Sequence, residues 1–353
     1  MGILKAILYP FSLLYWFGTW CRNFLYDRDY LRSLEFTPFI ITVGNLSVGG
    51  TGKTPMIEYL LRLLGDDIQV AMLSRGYKRK TQGFRLADEN DSARTIGDEP
   101  FQIYLKFNKT VAVGEDRALA IPELMSVRPD TKIILMDDAF QHRSVKSDIN
   151  ILLTDYNRPF FNDHLLPAGR LRESRAAAGR AQIVIVSKCP SDISDQEMEA
   201  YKNKISFYTL PGTPVFYTRV QYQPPVALNP EHHWMDQQSL ILISGIAATK
   251  PWVKHLGANH QILSNLVYGD HHYFNLNDIQ KLKKIYIQNQ HHDPVIITTE
   301  KDSVRLMDPV LNVLLKDLPV FYFPIKTVFF KNGEVFDSMI LESLKNQMTV
   351  KRY

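Results

Sequence analysis

The chain has 353 residues, 45% of them hydrophobic and 22% charged, the balance of an ordinary folded protein with room for about two domains. A formal net charge of +4 is small and dispersed, and the mild basic run Tyr77-Lys-Arg-Lys80 has no interleaved stacking aromatics, so composition argues for no nucleic-acid partner. The two cysteines, Cys21 and Cys189, exclude a disulfide scaffold and a zinc site and fit a reducing compartment.

Residues 1–31 stand apart. Met1 to Trp20 is dense in large apolar and aromatic side chains, with Arg22, Arg28 and Arg32 on its flank and no small-residue cleavage site. The stretch is barely long enough to cross a bilayer, is interrupted by Pro10 and carries Lys5. A helix lying in the membrane interface, tryptophans at headgroup depth, is the expectation, with a span and a buried first helix as the open alternatives.

Next comes the apolar run Phe39-Ile-Ile-Thr-Val43, followed by Ser47-Val-Gly-Gly-Thr-Gly-Lys-Thr54 and an amphipathic stretch from Pro55 to Leu64. Strand, glycine-rich turn and helix in that order let successive backbone N–H groups converge on a phosphate. Ser47, Gly49, Gly50, Thr51 and Gly52 form the loop, Lys53 reaches the β/γ oxygens, and the Thr54 hydroxyl is placed to hold Mg²⁺. Ser47 stands where the usual pattern has its first glycine.

Beyond the loop, the apolar runs 68–73, 110–113, 132–136, 149–153 and 183–186 alternate with helical patterns over 97–106 and 116–125. This predicts an α/β fold: a P-loop NTPase-like parallel sheet covered by helices, with its chemistry at the carboxyl ends of the strands. The proline-rich segment 211–225 breaks the rhythm, and a shorter series follows with strands near 240–243, 294–298 and 320–323. The expected division is an anchoring helix (1–31), a P-loop core (32–215) and linker strands with a smaller α/β lobe (216–353).

Polar residues cluster where these strands end. Asp137-Asp138 follows Ile133-Ile-Leu-Met136, a position from which a carboxylate serves Mg²⁺ directly or through water, although paired acids also make simple turns. Gln141 and His142 come next as natural ligands for sugar hydroxyls. Ser74-Arg-Gly-Tyr77 puts Arg75 and Tyr77 at the same edge. In Gly97-Asp-Glu-Pro100, Asp98 reads in isolation as a helix cap. Asp270-His-His272 lacks a fourth ligand for zinc and reads better as a proton-handling imidazole.

Taken in order, Val43 to Pro55, Ser74 to Tyr77, Gly97 to Pro100, Leu135 to Arg143, Leu165 to Glu173, Asp270 to His272 and Thr299-Glu-Lys-Asp302 resemble the tetraacyldisaccharide 4'-kinase family, the lipid A 4'-kinases of Gram-negative bacteria. The resemblance implies ATP-dependent phosphorylation of the 4'-hydroxyl of a tetraacylated glucosamine disaccharide 1-phosphate, at the cytoplasmic face of the inner membrane; nothing in the sequence points to an obligate protein partner. It implies that Asp98 is the general base assisted by His271, that Lys53 and Thr54 serve phosphate and Mg²⁺, and that Asp137 and Asp138 serve the metal. It also implies that Arg75, Tyr77, Arg117, Gln141, His142 and Glu173 address the disaccharide or the transferred phosphate. Two positions depart from the pattern: Ala139 replaces a common Gly, awkward if its φ must be positive, and Arg170 replaces a Pro. The rival classes are a P-loop GTPase or metallochaperone-like ATPase, for which Val186-Ser-Lys-Cys-Pro190 lacks the guanine-reading Asp, and a non-catalytic nucleotide-binding membrane adaptor.

Overall fold

The computed structural model describes residues 3–236, 238–247 and 249–350. In chain order the elements are α1 (Ile3–Asp27), β1 (Phe39–Asn45), α2 (Lys53–Leu64), β2 (Val70–Ser74), β3 (Arg85–Leu86), α3 (Ala93–Ile96), α4 (Asp98–Phe107), β4 (Thr110–Val113), α5 (Arg117–Val127), β5 (Ile133–Asp137), β6 (Ile149–Asp155), β7 (Ile183–Ser187), α6 (Asp195–Ser206) and β8 (Val215–Tyr222). They continue with β9 (Val226–Ala227), β10 (Leu240–Ser244), α7 (Lys250–Gly257), β11 (Ile262–Val267), α8 (Leu276–Gln288), β12 (Val295–Thr299), α9 (Glu300–Leu306), α10 (Pro309–Leu315), β13 (Val320–Phe323), β14 (Ile325–Phe329) and α11 (Gly333–Val350).

The strands form a nine-stranded sheet of order β14-β8-β7-β6-β1-β5-β2-β4-β3 and a five-stranded sheet of order β11-β10-β12-β13-β9. In the large sheet the strands from β8 to β4 run parallel, and only β14 and β3 pair antiparallel at the edges. β1 is buried at every position, as expected for a strand covered on both faces. Its neighbours β5 and β6 make the order reverse at β1, so the loop leaving β1 opens at a switch point, where open α/β sheets bind ligands.

The lobe boundary differs from the expected division at 215/216. β8 is a strand of the large sheet, and β14 and α11 return to it: Phe336, Ile340 and Leu344 are buried in the core that also holds Met56 and Ile57 of α2. The chain therefore passes between the lobes twice, at 222–226 and 323–325, and the second lobe is the interval between. Periodicity could not reveal this, because a strand pattern does not say which sheet it joins.

α1 lies on the large lobe. Ser12 Oγ donates to Leu165 O and accepts from Ala168 N, the Tyr15 hydroxyl donates to Arg172 O, and Arg22 pairs with Glu173 at 2.5 Å. Its outer face leaves Leu14 71%, Phe17 57% and Trp20 48% exposed. No described helix is long and apolar enough to cross a membrane.

α11 is thus a buttress of the large lobe. Phe336 is fully buried beside Phe216 and Phe329, so Phe336→Ala should cost about 3–5 kcal/mol in urea unfolding of the full chain. An unchanged midpoint would show α11 to be dispensable to that core.

Candidate active site

The loop after β1 has the conformation a phosphate cradle needs. Gly52 sits at the N-cap of α2 with φ of 84°, a left-handed geometry that costs glycine little, and Lys53 is the first helical residue. Ser187 Oγ donates to Thr51 O, Lys188 Nζ donates to Gly50 O and pairs with Asp155 at 3.0 Å, and Val48 N donates to Arg170 O. Ser47 bridges to Leu171. The loop is thereby pinned from β7 and from the 163–173 segment, with the N-terminus of α2 aimed outward as an anion site.

Lys53 Nζ lies 3.5 Å from Asp138 Oδ1 and donates to Asn45 Oδ1 at 3.4 Å. Arg172 grips the same pair: its guanidinium donates to Asp138 Oδ1 at 2.6 Å, to Asp138 Oδ2 at 3.1 Å and to Asn45 Oδ1. Burial pushes the Asp138 carboxyl up, but the Lys53 charge and the Arg172 hydrogen bond more than reverse it and hold the group well below the usual carboxylate range. Asp137 is different. Burial, only partly opposed by Lys53 and reinforced by Asp138 and Glu99, pushes it to about 7, and its Oδ1 is buried without a partner. A buried carboxylate oxygen left unsatisfied beside a phosphate loop fits a divalent cation. Among the described residues, no group of three or more His, Cys, Asp or Glu side chains stands close enough to hold a metal ion. The φ of 49° falls on Asp138, and Ala139 is absent from the positive-φ residues, so the Gly-to-Ala departure carries no strain. The Arg170 N–H, which a proline would lack, donates to Asp163 Oδ1 at 3.3 Å.

Asp98 opens α4, but Gly97 is the cap, and the carboxylate turns to the second lobe. Its Oδ2 accepts from His271 Nδ1 at 2.9 Å and from Arg305 at 2.5 Å. Burial would raise this carboxyl; hydrogen bonds from His271 and Arg305, with the charges of Arg305 and Lys301, lower it to about 2. His271 has φ of 59°, an uncommon backbone state for a non-glycine residue and one that clusters at functional sites. Gly97 packs with its would-be Cβ 3.1 Å from Gly76 Cα, so only a residue without a side chain lets the Gly-Asp-Glu-Pro turn and the Ser74–Tyr77 loop meet. Tyr77, 55% exposed, sits edge-on to His271 with ring centroids 5.2 Å apart.

The structure brings Lys53, Asp137, Asp138, Arg75 and His142 within electrostatic reach of one another or of shared neighbours, with Thr54 next to Lys53 in α2 and Gln141 next to His142, and it joins Asp98, His271 and Tyr77 where the second lobe meets the first. Gln141 donates to Asn45 O at 2.9 Å, and His142 is lowered to about 4 by burial and then by the charges of Arg117 and Arg75. Two expected substrate residues lie underneath instead. Arg117 is fully buried and donates to the Gly114 and Asp137 carbonyls, and Glu173 is fully buried between Arg22 and Arg180. Reading the sequence left Asn45, Arg172, Lys301 and Arg305 unassigned. The first three stand inside motifs, and Arg305 follows Asp302 at helical spacing, a signal that names a neighbour without naming a role.

Because the Asp98 carboxyl is held at about 2 in the folded chain, against about 4 when unfolded, it contributes stability that is complete above about pH 4 and lost as pH falls towards 2. The stability gap between wild type and Asp98→Asn should therefore shrink over that window in acid unfolding. A gap independent of pH would show that the ion-paired carboxylate is not what Asn replaces.

Three comparisons bear on identity. The family described as Tetraacyldisaccharide-1-P 4'-kinase matches residues 4–345. The chain is 44% identical to a tetraacyldisaccharide 4'-kinase of Flavobacterium psychrophilum over 99% of both chains and 43% identical to that of Flavobacterium johnsoniae over the same shares. A crystal structure of LpxK from Aquifex aeolicus in complex with ATP, 28% identical, superposes with a TM-score of 0.73 over 97% of this chain and 100% of that one. With a family match across nearly its whole length, relatives above 40% identity and a shared fold, the chain belongs to the tetraacyldisaccharide-1-P 4'-kinase family.

Proposed function

We propose that the chain transfers the γ-phosphoryl group of ATP to the 4'-hydroxyl of a tetraacylated glucosamine disaccharide 1-phosphate at the cytoplasmic face of the inner membrane. The observation that carries this reading is a phosphate loop whose lysine lies 3.5 Å from Asp138 at the sheet edge where a second lobe delivers an imidazole to a buried carboxylate. A nucleotide switch or metallochaperone has no use for that last pair, and the family assignment favours neither.

Phosphoryl transfer asks mainly for positioning and for charge neutralisation on the equatorial oxygens. The loop amides and Lys53 hold the β/γ phosphates. Thr54 and Asp137, with Asp138, are the groups that fit Mg²⁺, whose charge would neutralise the same oxygens when bound. Both donors to Asp98 fall on Oδ2, and among the described residues Oδ1 accepts from none. Oδ1 is therefore the oxygen assigned to the sugar hydroxyl. The 4'-oxygen bonds to the γ-phosphorus as the bond to the β-bridging oxygen breaks, the hydroxyl proton passes to Asp98, ADP leaves, and the proton is later released to water. With so low a basicity, Asp98 acts by orienting the hydroxyl and taking its proton late, as a loose transition state permits. Arg75, Tyr77, Gln141 and His142 are assigned to the disaccharide and its phosphate; Arg117 and Glu173 support the site from beneath.

α1 is assigned to the membrane surface. Trp16, Phe17, Trp20 and Phe24 form a stacked ladder with centroids 5.5–6.2 Å apart, and Tyr15 and Arg22 tie the helix to the 172–173 backbone and side chains beside Asp138. A substrate whose acyl chains stay in the bilayer is then met at headgroup level.

Incubation with γ-labelled ATP and the disaccharide lipid should place the label on the 4'-oxygen; label elsewhere, or equal transfer from GTP, would overturn the reading. Asp98→Ala should lower turnover by about 10²–10⁴-fold with little change in KM for ATP, and unchanged turnover would remove Asp98 from the chemistry. Replacing Leu14, Phe17 and Trp20 together by Ser should weaken partitioning onto phospholipid vesicles at least about tenfold in sedimentation; undiminished binding would remove α1 from the membrane contact.

A further inference from the structure

The Thr299-Glu-Lys-Asp302 motif has no role in the reading above, yet helix α9, which carries it, is where the second lobe grips the first. The order β11-β10-β12-β13 reverses between β10 and β12, so the crevice that usually takes a ligand lies at Gly245 and Thr299. Here the chain's own side chains fill it. Asp302, fully buried, accepts from Gly245 N at 2.9 Å and from Thr299 Oγ1 at 2.7 Å, and pairs with Arg305 at 2.6 Å. Arg305, whose side chain is 1% exposed, donates from the same nitrogen to Gly245 O at 3.1 Å and from its other terminal nitrogen to Asp98 Oδ2 at 2.5 Å. One rigid fork spans two carboxylates from two lobes, which a lysine cannot do.

Neighbouring residues converge on the same point. Lys301 pairs with Glu99 at 2.6 Å and sits 3.1 Å from His271 Nε2. An ammonium can only donate, so Nε2 accepts and the ring N–H is on Nδ1, facing Asp98. Glu300 is held by Lys106 of α4, which also pairs with Glu58 of α2 at 2.7 Å, Asp308 pairs with Arg94 at 2.9 Å, and Asp270 lies 3.9 Å from His271 Nε2. His271 and Arg305 bond to Asp98, and Lys301 of α9 acts on it by charge; Tyr273 of the second lobe feels its charge along with those of Arg305, Arg94 of α3 and Glu99, and Glu99, on Asp98's own helix, is paired with Lys301.

We infer that Arg305 is a positioning residue for the phosphoryl transfer: anchored on Asp302 and Gly245, it fixes Asp98 Oδ2 so that Oδ1 presents to the sugar hydroxyl, and it makes this alignment depend on docking of the second lobe. The inference rests on the kinase reading. Arg305 touches neither substrate; it acts through Asp98, and burial would drive that carboxyl upward once the guanidinium is gone.

The test compares full-length wild type, Arg305→Met, Arg305→Lys and Lys301→Met, using labelled ATP and the disaccharide lipid across pH 5 to 9. Arg305→Met is expected to lower kcat by about a hundredfold or more with KM for ATP within about twofold, and to bring the acid limb of kcat/KM above about pH 5, since a buried carboxyl without its cation rises by several pH units. Arg305→Lys restores the wild-type limb through its charge but not the full rate, because it lacks the fork. An Arg305→Met acid limb identical to wild type, whether the rate is normal or uniformly reduced, overturns the inference. Should Arg305→Met fail to fold, Lys301→Met carries the test: its side chain is 26% exposed, its loss removes the second cation acting on Asp98, and an unmoved limb there together with full activity of Arg305→Lys is the overturning result. No label transfer by wild type sinks the kinase reading itself; wild-type transfer with an unmoved limb sinks only the role of Arg305.

Discussion

The structure turns on one buried carboxylate held from across a domain junction. Asp98 belongs to the large lobe, yet its two donors, His271 and Arg305, come from the small one. An uncompensated carboxylate at this burial is costly, and a charged pair broken by removing one partner is costlier than either group replaced. Folding the second lobe and docking it on α4 is what makes the charged state tolerable. The same contact that stabilises the junction therefore prepares the site.

That constraint explains the architecture around it. The chain enters the second lobe after β8 and leaves it before β14, so two short crossings tie it to one edge of the large sheet, and α11 closes over the core on the way out. The second lobe has a sheet of four parallel strands and an antiparallel β9, with a proper switch point, but Asp302 and Arg305 occupy the crevice there. From there Arg305 reaches Asp98 of the neighbouring lobe. On the other side, Arg172 and Lys53 neutralise Asp138 while Asp137 keeps an unsatisfied oxygen. The two acids thus differ in partners and in basicity through their surroundings rather than through their identity.

Much of this was legible in the residues. The phosphate loop, the parallel sheet, the paired acids at a strand end and the second α/β series are local patterns: a turn that needs glycines, β-branched runs buried on both faces, polar residues where a strand stops. The assignment of Asp98 was not local. By itself the Gly-Asp-Glu-Pro turn reads as a cap, and Gly97 takes that place instead. The resemblance turns Arg117 and Glu173 towards the substrate, whereas both are fully buried, because a charged residue in a motif carries no sign of which side of the backbone it will occupy. Arg305 carries only its helical spacing from Asp302 as a local signal, and nothing that points to its partner Asp98, more than two hundred residues away.

By itself, then, the sequence determined what short-range physics can encode: a phosphate-binding strand, turn and helix, the class of sheet, and an apolar amphipathic first helix, together with the family that the order of motifs resembles. Tertiary structure alone decided which sheet β8 and β14 join, which oxygen of Asp98 is engaged and which is open, and that Arg305 rather than a ligand fills the second crevice. These depend on contacts between groups remote in the chain, where burial and charge pairing are set by docking of whole lobes rather than by any residue's neighbours in sequence.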